Sequence, residues 1–321
     1  MEIRIRNRRG FSVVIAIIVT IIVILVILVL AIAIGVNVAI SQVIDNLTGT
    51  VRDDCMSSDS SYRGSVTFPY DLAPRKMAGN LYQNDLATVL WDIGGGVGSS
   101  NCKLSVVTPL PFNQQWKMET APIPGSSRLV NDSLTIGYIF YSASLKLCLF
   151  VFGGTYTKAQ WRNNMQIGLT KANQLNGSLP DTQVHSGFYL NYLTVRQFLW
   201  TWWSQHSSDV DKIIITGRSL GGALATICAF DFSMIPNIQL LHYSFASPRV
   251  GNVTFAQQFL GKVPYSVRVY NTEDIVTNIP PAVFRGNTYE HAGDPRDAKA
   301  FTLNTKSIAN NHIEAYRFLP Q

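Results

Sequence analysis

The run Ile213-Ile214-Ile215-Thr216-Gly217-Arg218-Ser219-Leu220-Gly221-Gly222-Ala223-Leu224-Ala225 limits what this chain can fold into more than any other stretch. A short β-branched segment reads as a strand, the following G-x-S-x-G as a tight turn, and the small and apolar residues after it as a helix. Gly217 and Gly221 allow a strained turn and a close approach of strand to helix, so that Ser219 projects its hydroxyl from the top of a sheet. A serine placed there is a candidate nucleophile. The same pattern also fits a plain βα turn with serine at the helix start, and the remainder of the chain must choose between the two.

At 321 residues and 47% apolar composition the chain can bury one substantial core, and a single α/β domain is the simplest arrangement. The net charge of +6 is concentrated in Arg4, Arg6, Arg8 and Arg9. No basic helix face or basic–aromatic interleaving follows, which argues against a nucleic-acid partner. Phe11 to Val36 is almost wholly Ile, Val, Leu and Ala without a charge, and as a helix it would reach ~39 Å, longer than a ~30 Å hydrocarbon core. We therefore expect a basic cytoplasmic tail over residues 1–10, a transmembrane signal anchor over 11–36, a stalk or irregular wrap over 37–74 and a globular domain over 75–321. The arginines precede the apolar run, so the N-terminus is cytoplasmic and the domain lumenal or extracellular. A cleavable signal peptide ending at Ala31-Ile32-Ala33 is the competing reading, against which the length of the apolar run speaks.

Export agrees with sequons at Asn46, Asn131, Asn176 and Asn252, candidate glycan acceptors. Among the four cysteines, Cys148 and Cys228 sit in apolar patterns that suit buried thiols, and Cys55 with Cys102, among polar residues, is the expected disulfide.

Along the chain, Lys76 to Trp91 has helical apolar spacing, ended by Gly94-Gly95-Gly96, and Pro122-Ile123-Pro124-Gly125 reads as a turn. Leu134–Tyr141 and Leu145–Phe152 read as a hairpin. Lys158 to Leu169 places Trp161, Met165 and Leu169 on one helical face, which suits an ordinary packed surface helix as well as a functional element. Alternation of strand and helix from Leu145 to Tyr270 predicts a mostly parallel sheet with helices on both faces. A closing helix is expected over Asn311–Phe318.

A serine hydroxyl needs a base within hydrogen-bond reach, itself oriented by a carboxylate. In α/β-hydrolases these follow in the order Ser, Asp or Glu, His. Of the five histidines only His291 and His312 follow both Ser219 and a plausible acid. Asp274 lies just past a predicted strand, on the edge where open α/β sheets carry their sites. Asp231, in the elbow helix, and Asp294 and Asp297, in a polar loop, suit solvated or capping roles. No cluster of side chains supplies a metal site, and no organic cofactor is required.

Several motifs in order resemble the fungal-type class 3 lipases of the α/β-hydrolase fold. They are Phe152-Gly153-Gly154-Thr155, Val184-His185-Ser186-Gly187-Phe188, the elbow from Gly217 to Ala225, Ser247-Pro248-Arg249-Val250-Gly251-Asn252, Asn271 to Pro281, Tyr289-Glu290-His291-Ala292-Gly293, and Asn311-His312-Ile313-Glu314-Ala315-Tyr316. The resemblance implies Ser219 as nucleophile, His312 as general base and acid, Asp274 as orienting carboxylate, and Thr155 and the Leu220 N–H as oxyanion donors. It implies structural roles for His185 and His291. Lys158 to Leu169 falls where this family carries its lid, with Trp161, Met165 and Leu169 as its apolar face. Gly153 replaces the family's usual arginine and Arg218 the elbow's usual histidine, which implies altered support or substrate preference.

The expected function is a membrane-anchored serine ester hydrolase, with a lipid substrate at a membrane or lipid-droplet interface as its partner. Two alternatives stay open: a phospholipase A1-type enzyme rather than a neutral-glyceride lipase, and a catalytically silent lipid-binding membrane glycoprotein of the same fold.

Overall fold

In the computed structural model, which describes residues 72–96, 119–127, 130–154 and 168–319, the strand feeding the elbow occupies the middle of a seven-stranded sheet. In chain order the elements are α1 (Leu72–Met77), α2 (Asn84–Gly96), β1 (Glu119–Ser127), β2 (Val130–Ser142), β3 (Leu147–Phe152), β4 (Leu169–Lys171) and β5 (Gln183–His185). There follow α3 (Ser186–His206), β6 (Lys212–Arg218), α4 (Leu220–Phe232), β7 (Gln239–Phe245), α5 (Val253–Lys262), β8 (Ser266–Asn271), β9 (Val283–Phe284), β10 (Asn287–Thr288), β11 (Ala298–Phe301) and α6 (Ile308–His312). The large sheet runs β1-β2-β3-β6-β7-β8-β11. Its first three strands form an antiparallel meander, and β3, β6, β7, β8 and β11 are parallel.

The Ile run of β6 is apolar at every position because both faces of the strand are covered. Ile213 and Ile215 belong to the core beneath α3 and α4, with Trp202 and Phe232, whereas Ile214 belongs to the core beneath α2, with Leu90 and Trp91. Helix α4 is buried on all sides after its first residue, which accounts for its uniformly small and apolar sequence.

Several boundaries differ from expectation. The helix expected over Lys76–Trp91 is two helices, because Gly79 adopts a left-handed φ of +69° between α1 and α2. Gly94-Gly95-Gly96 forms the last turn of α2 instead of ending it earlier. Pro122-Ile123-Pro124-Gly125 lies in β1, not in a turn. An edge strand tolerates proline, and the register shifts between Ile123 and Pro124. Leu169 pairs with His185 in β4, so a helix beginning at Lys158 does not reach it. The closing helix is a short α6 followed by a 3-10 turn at Glu314–Phe318, which puts His312 at the end of a helix.

Asn252, one of the expected sequons, has a capping role. Its side-chain oxygen caps α5 by accepting from the Phe255 N–H at 2.9 Å, and its Nδ2 donates to the Asp181 carbonyl at 2.9 Å. Asn46, Cys55, Cys102, Thr155, Trp161, Met165 and the anchor over 11–36 lie outside the described residues. Among the described residues Cys148 and Cys228 are free and buried, no helix is long and apolar enough to cross a membrane, and no cluster of metal-ligating side chains occurs.

Three histidines are held neutral inside the fold. Burial lowers His242 to about 3 and His185 to about 4. His291 is lowered to about 3 by burial, assisted by Arg268 and Arg249. The ordinary value is 6.5 in each case. Between these values the unfolded chain takes up protons that the folded chain refuses, so stability is full above about 6.5 and falls with decreasing pH, each histidine contributing a slope of up to about 1.4 kcal/mol per pH unit. Urea midpoints should therefore drop between about pH 7 and about pH 5, before ordinary carboxylates titrate. His242→Gln should flatten that slope, and an unchanged midpoint across this range would contradict the assignment.

Candidate active site

The site is built at the C-terminal ends of β6 and β8. A Cβ added at Gly217 would collide with the Gly221 carbonyl, and one at Gly221 with the Phe152 carbonyl. The two glycines thus bring β6, the first turn of α4 and the end of β3 together. Between them Ser219 takes φ 56° and ψ −124°, a conformation that costs a side-chain-bearing residue on the order of 1–3 kcal/mol and persists only where its surroundings impose it. Its N–H donates to the Phe245 carbonyl at the end of β7, 2.9 Å away.

Asp274 follows β8 through Asn271-Thr272-Glu273 and is fully buried. Its Oδ1 accepts the Val276 N–H at 2.9 Å. Its Oδ2 is 2.8 Å from His312 Nδ1 and 2.8 Å from the Tyr316 hydroxyl, which donates to it. On the far side of the imidazole, His312 Nε2 lies 2.8 Å from Ser219 Oγ. A carboxylate can only accept, so Nδ1 carries the proton and Nε2 is free to accept the serine O–H. Residues separated by 93 and 38 positions in sequence thereby form one continuous relay.

The amides around His312 hold it in place. Asn271 Nδ2 donates to the carbonyls of Leu303, at 2.9 Å, and Asn311, at 3.1 Å. Asn311 Oδ1 accepts from the Thr305 N–H at 2.7 Å, and Asn311 Nδ2 donates to the Glu273 carbonyl at 3.3 Å. The backbone flanking the base is thus tied to the loop that carries the acid.

The Leu220 N–H, in the first turn of α4, has no acceptor within its helix and lies beside the serine, as an oxyanion donor requires. Gly154 brings the end of β3 to the same place: a Cβ there would rest 3.7 Å from that of Ser219. Arg218, directly before the serine, has its guanidinium over the Trp91 ring of α2.

The other acids lie elsewhere. Asp231 is fully buried, not solvated, and binds Tyr192, Arg196, Trp200 and the Asn176 N–H. Asp294 and Asp297 both engage Lys76, and Asp294 also caps the Arg296 N–H. The Arg296 guanidinium holds the Asp294 carboxyl below its usual range, with Lys76 adding to the effect. His185 stacks on Phe188, ring centroids 4.0 Å apart, and His291 bonds to the Thr277 backbone.

A family model described as lipase (class 3) matches residues 149–284, a span that contains both Ser219 and Asp274. Over that span the chain is similar to class 3 lipases. The match stops short of His312, whose place in the site rests on its own geometry. Among relatives, the chain is 29% identical over 158 residues to phospholipase A(1) DAD1, chloroplastic, of Arabidopsis thaliana, covering 44% of this chain and 35% of that protein. It is 32% identical over 160 residues to a lipase of Rhizomucor miehei, covering 47% and 41%. The chain thus spans less than half the length of either relative. A solved structure of Rhizomucor miehei triacylglyceride lipase superposes with a TM-score of 0.52 at 24% identity over 70% of this chain and 82% of that one, a likeness of fold.

Two features of the site went unseen in sequence. The Tyr316 hydroxyl on Asp274 was available as a signal in the His312-Ile313-Glu314-Ala315-Tyr316 spacing. The contact of Arg218 with Trp91 had none, because the two lie far apart in the chain and in different elements.

Proposed function

We propose that this chain is a serine ester hydrolase acting on acyl esters of glycerides or phospholipids. The observation that carries this reading is the buried relay Ser219–His312–Asp274, with 2.8 Å at each step. The Ser219 oxygen attacks the ester carbonyl carbon as its proton passes to His312 Nε2, and the carbonyl electron pair moves to oxygen. The Leu220 N–H meets the negative charge that develops there, and Thr155 is the second donor we assign. Collapse of the tetrahedral intermediate breaks the ester C–O bond, and His312 returns the proton to the leaving alcohol. Water, deprotonated by the same imidazole, then attacks the acyl-serine and releases the fatty acid. Asp274 keeps the imidazole in the required tautomer and stabilises its charged form without taking the proton.

The relatives are named lipase and phospholipase A(1), which supports an ester of a long-chain acid as substrate and leaves two headgroup classes to compare. Hydrolysis of triolein emulsions and of phosphatidylcholine vesicles by the full chain decides between them. We expect cleavage of at least one, lost in Ser219→Ala. Cleavage of neither would overturn the reading. We further assign residues 11–36 as a membrane anchor on their apolar run. Retention of the expressed chain in the pellet after alkaline carbonate extraction is the expected result, and release into the supernatant would contradict the anchor.

A further inference from the structure

The residue before the nucleophile and the carboxylate behind the base are joined by one aromatic stack. The Arg218 guanidinium lies 5.0 Å from the Trp91 ring centroid. A Cβ at Gly95, one turn further along α2, would come within 3.0 Å of Arg218 Nη1, so the glycine leaves room for the arginine. Trp91 in turn stacks on Tyr316, with centroids 4.8 Å apart and planes 17° from parallel. Phe245 meets the Trp91 ring edge-on at 5.8 Å, and Phe301 meets the Tyr316 ring edge-on at 5.2 Å. At the end of the stack the Tyr316 oxygen accepts the Asn271 N–H at 3.0 Å and donates to Asp274 Oδ2 at 2.8 Å.

Each link has a physical basis. Burial holds the Tyr316 phenol well above its usual range, so it remains a donor to the carboxylate. A guanidinium is planar and permanently charged, and it binds an aromatic ring through cation–π attraction and stacking together. Beside Trp91, burial raises Asp92 to about 6 while the charges of Arg317 and Arg218 pull it back. Tyr316 is fully buried and meets the relay through its hydroxyl; that oxygen lies on the long axis of the ring, so a sideways shift or tilt of the ring, which the stacked Trp91 limits, moves it relative to Asp274.

We propose that Arg218 is a positioning residue: through Trp91 it fixes the position of the Tyr316 ring and hydroxyl, and thereby the geometry of the Asp274–His312 hydrogen bond. This assignment rests on the hydrolase reading above for its kinetic consequence. It explains why an arginine is accommodated inside the elbow, with its charge committed to α2.

The test uses the full chain carrying Arg218→Met, Arg218→Lys or Trp91→Phe, each with and without Tyr316→Phe. Two quantities are read: kcat and KM on a water-soluble p-nitrophenyl ester, and the far-downfield proton resonance of His312 Nδ1. Arg218→Met is expected to lower kcat about tenfold with KM unchanged, the size of effect that small misplacements of catalytic groups produce. It should also move the resonance, and Arg218→Lys, which keeps a cation over the ring, should restore most of both. With Tyr316→Phe already present, Arg218→Met should change kcat by less than about twofold, because the hydroxyl that links the stack to Asp274 is gone. Equal losses in both backgrounds, or a loss confined to KM, would overturn the proposal and leave Arg218 a merely structural residue. Trp91→Phe keeps an aromatic ring in the core and gives the same comparison if Arg218→Met does not fold. If the wild-type chain cleaves no ester, the hydrolase reading fails. The resonance then decides the positioning claim alone: coupling between Arg218 and Tyr316 supports it, and independent shifts overturn it.

Discussion

Ser219→Ala is expected to reduce kcat about a million-fold and to abolish covalent labelling by a fluorophosphonate probe, the scale of loss seen when a triad nucleophile is removed. The reason is geometric. Ser219 Oγ extends the buried His312–Asp274 pair into a proton relay, and the strained backbone at φ 56° presents that oxygen. His312→Ala should cost about as much, and the double variant no more than either single one, because the three groups act as a unit. Asp274→Asn should cost about ten-thousand-fold: its amide retains the hydrogen-bonded geometry while favouring the wrong imidazole tautomer. Circular dichroism and thermal melting should show folded protein in all of these variants. Labelling that survives Ser219→Ala would sink the assignment, as would a Ser219–His312 double variant markedly worse than the worse single one.

The elbow was readable in sequence because its constraints are local. An apolar β-branched run, two glycines and a serine specify a turn whatever surrounds it, and Ser219 lies where that pattern puts it. Strand-end logic pointed to Asp274, chain order narrowed the base to His291 or His312, and the resemblance chose His312; the structure places Asp274 and His312 within hydrogen-bond distance of each other. What escaped was decided by contacts across the chain. The prolines of Pro122-Ile123-Pro124-Gly125 argue locally for a turn, yet pairing with β2 holds them in an edge strand where the missing N–H groups cost little. Gly94-Gly95-Gly96 reads as a helix stop, but Arg218 packs against Gly94 and Gly95, which lie within the helix, and the helix ends at Gly96. Asp231, in an otherwise apolar helix, looked like a solvated residue because its partners lie on another element.

Asp231 carries the largest expected effect on stability. It is fully buried on α4, and five donors converge on it: Tyr192 Oη at 2.8 Å, Arg196 Nε at 2.8 Å and Nη2 at 3.1 Å, Trp200 Nε1 at 2.9 Å, and the Asn176 N–H at 2.8 Å. Three of these side chains come from successive turns of α3, so one carboxylate ties the full-width helix over the elbow to the elbow helix itself. Deleting it leaves a mostly buried guanidinium without its counter-charge and three other donors without an acceptor, the situation in which breaking a buried pair costs about 3–5 kcal/mol. Asp231→Ala should therefore lower the urea midpoint sharply, to the point of unfolding if the chain has only the usual ~5–15 kcal/mol in hand. Arg196→Met combined with Asp231→Leu removes both charges and should recover part of the loss, the remainder staying because Tyr192, Trp200 and the Asn176 N–H still lack their acceptor. An Asp231→Ala variant as stable as wild type would mean that water reaches the cluster and screens it. The same hub bears on activity only through α4, whose first turn supplies the Leu220 N–H. A folded Asp231→Asn variant should therefore keep fluorophosphonate labelling at Ser219 while losing stability, separating the residue that holds the elbow helix from those that would do the chemistry.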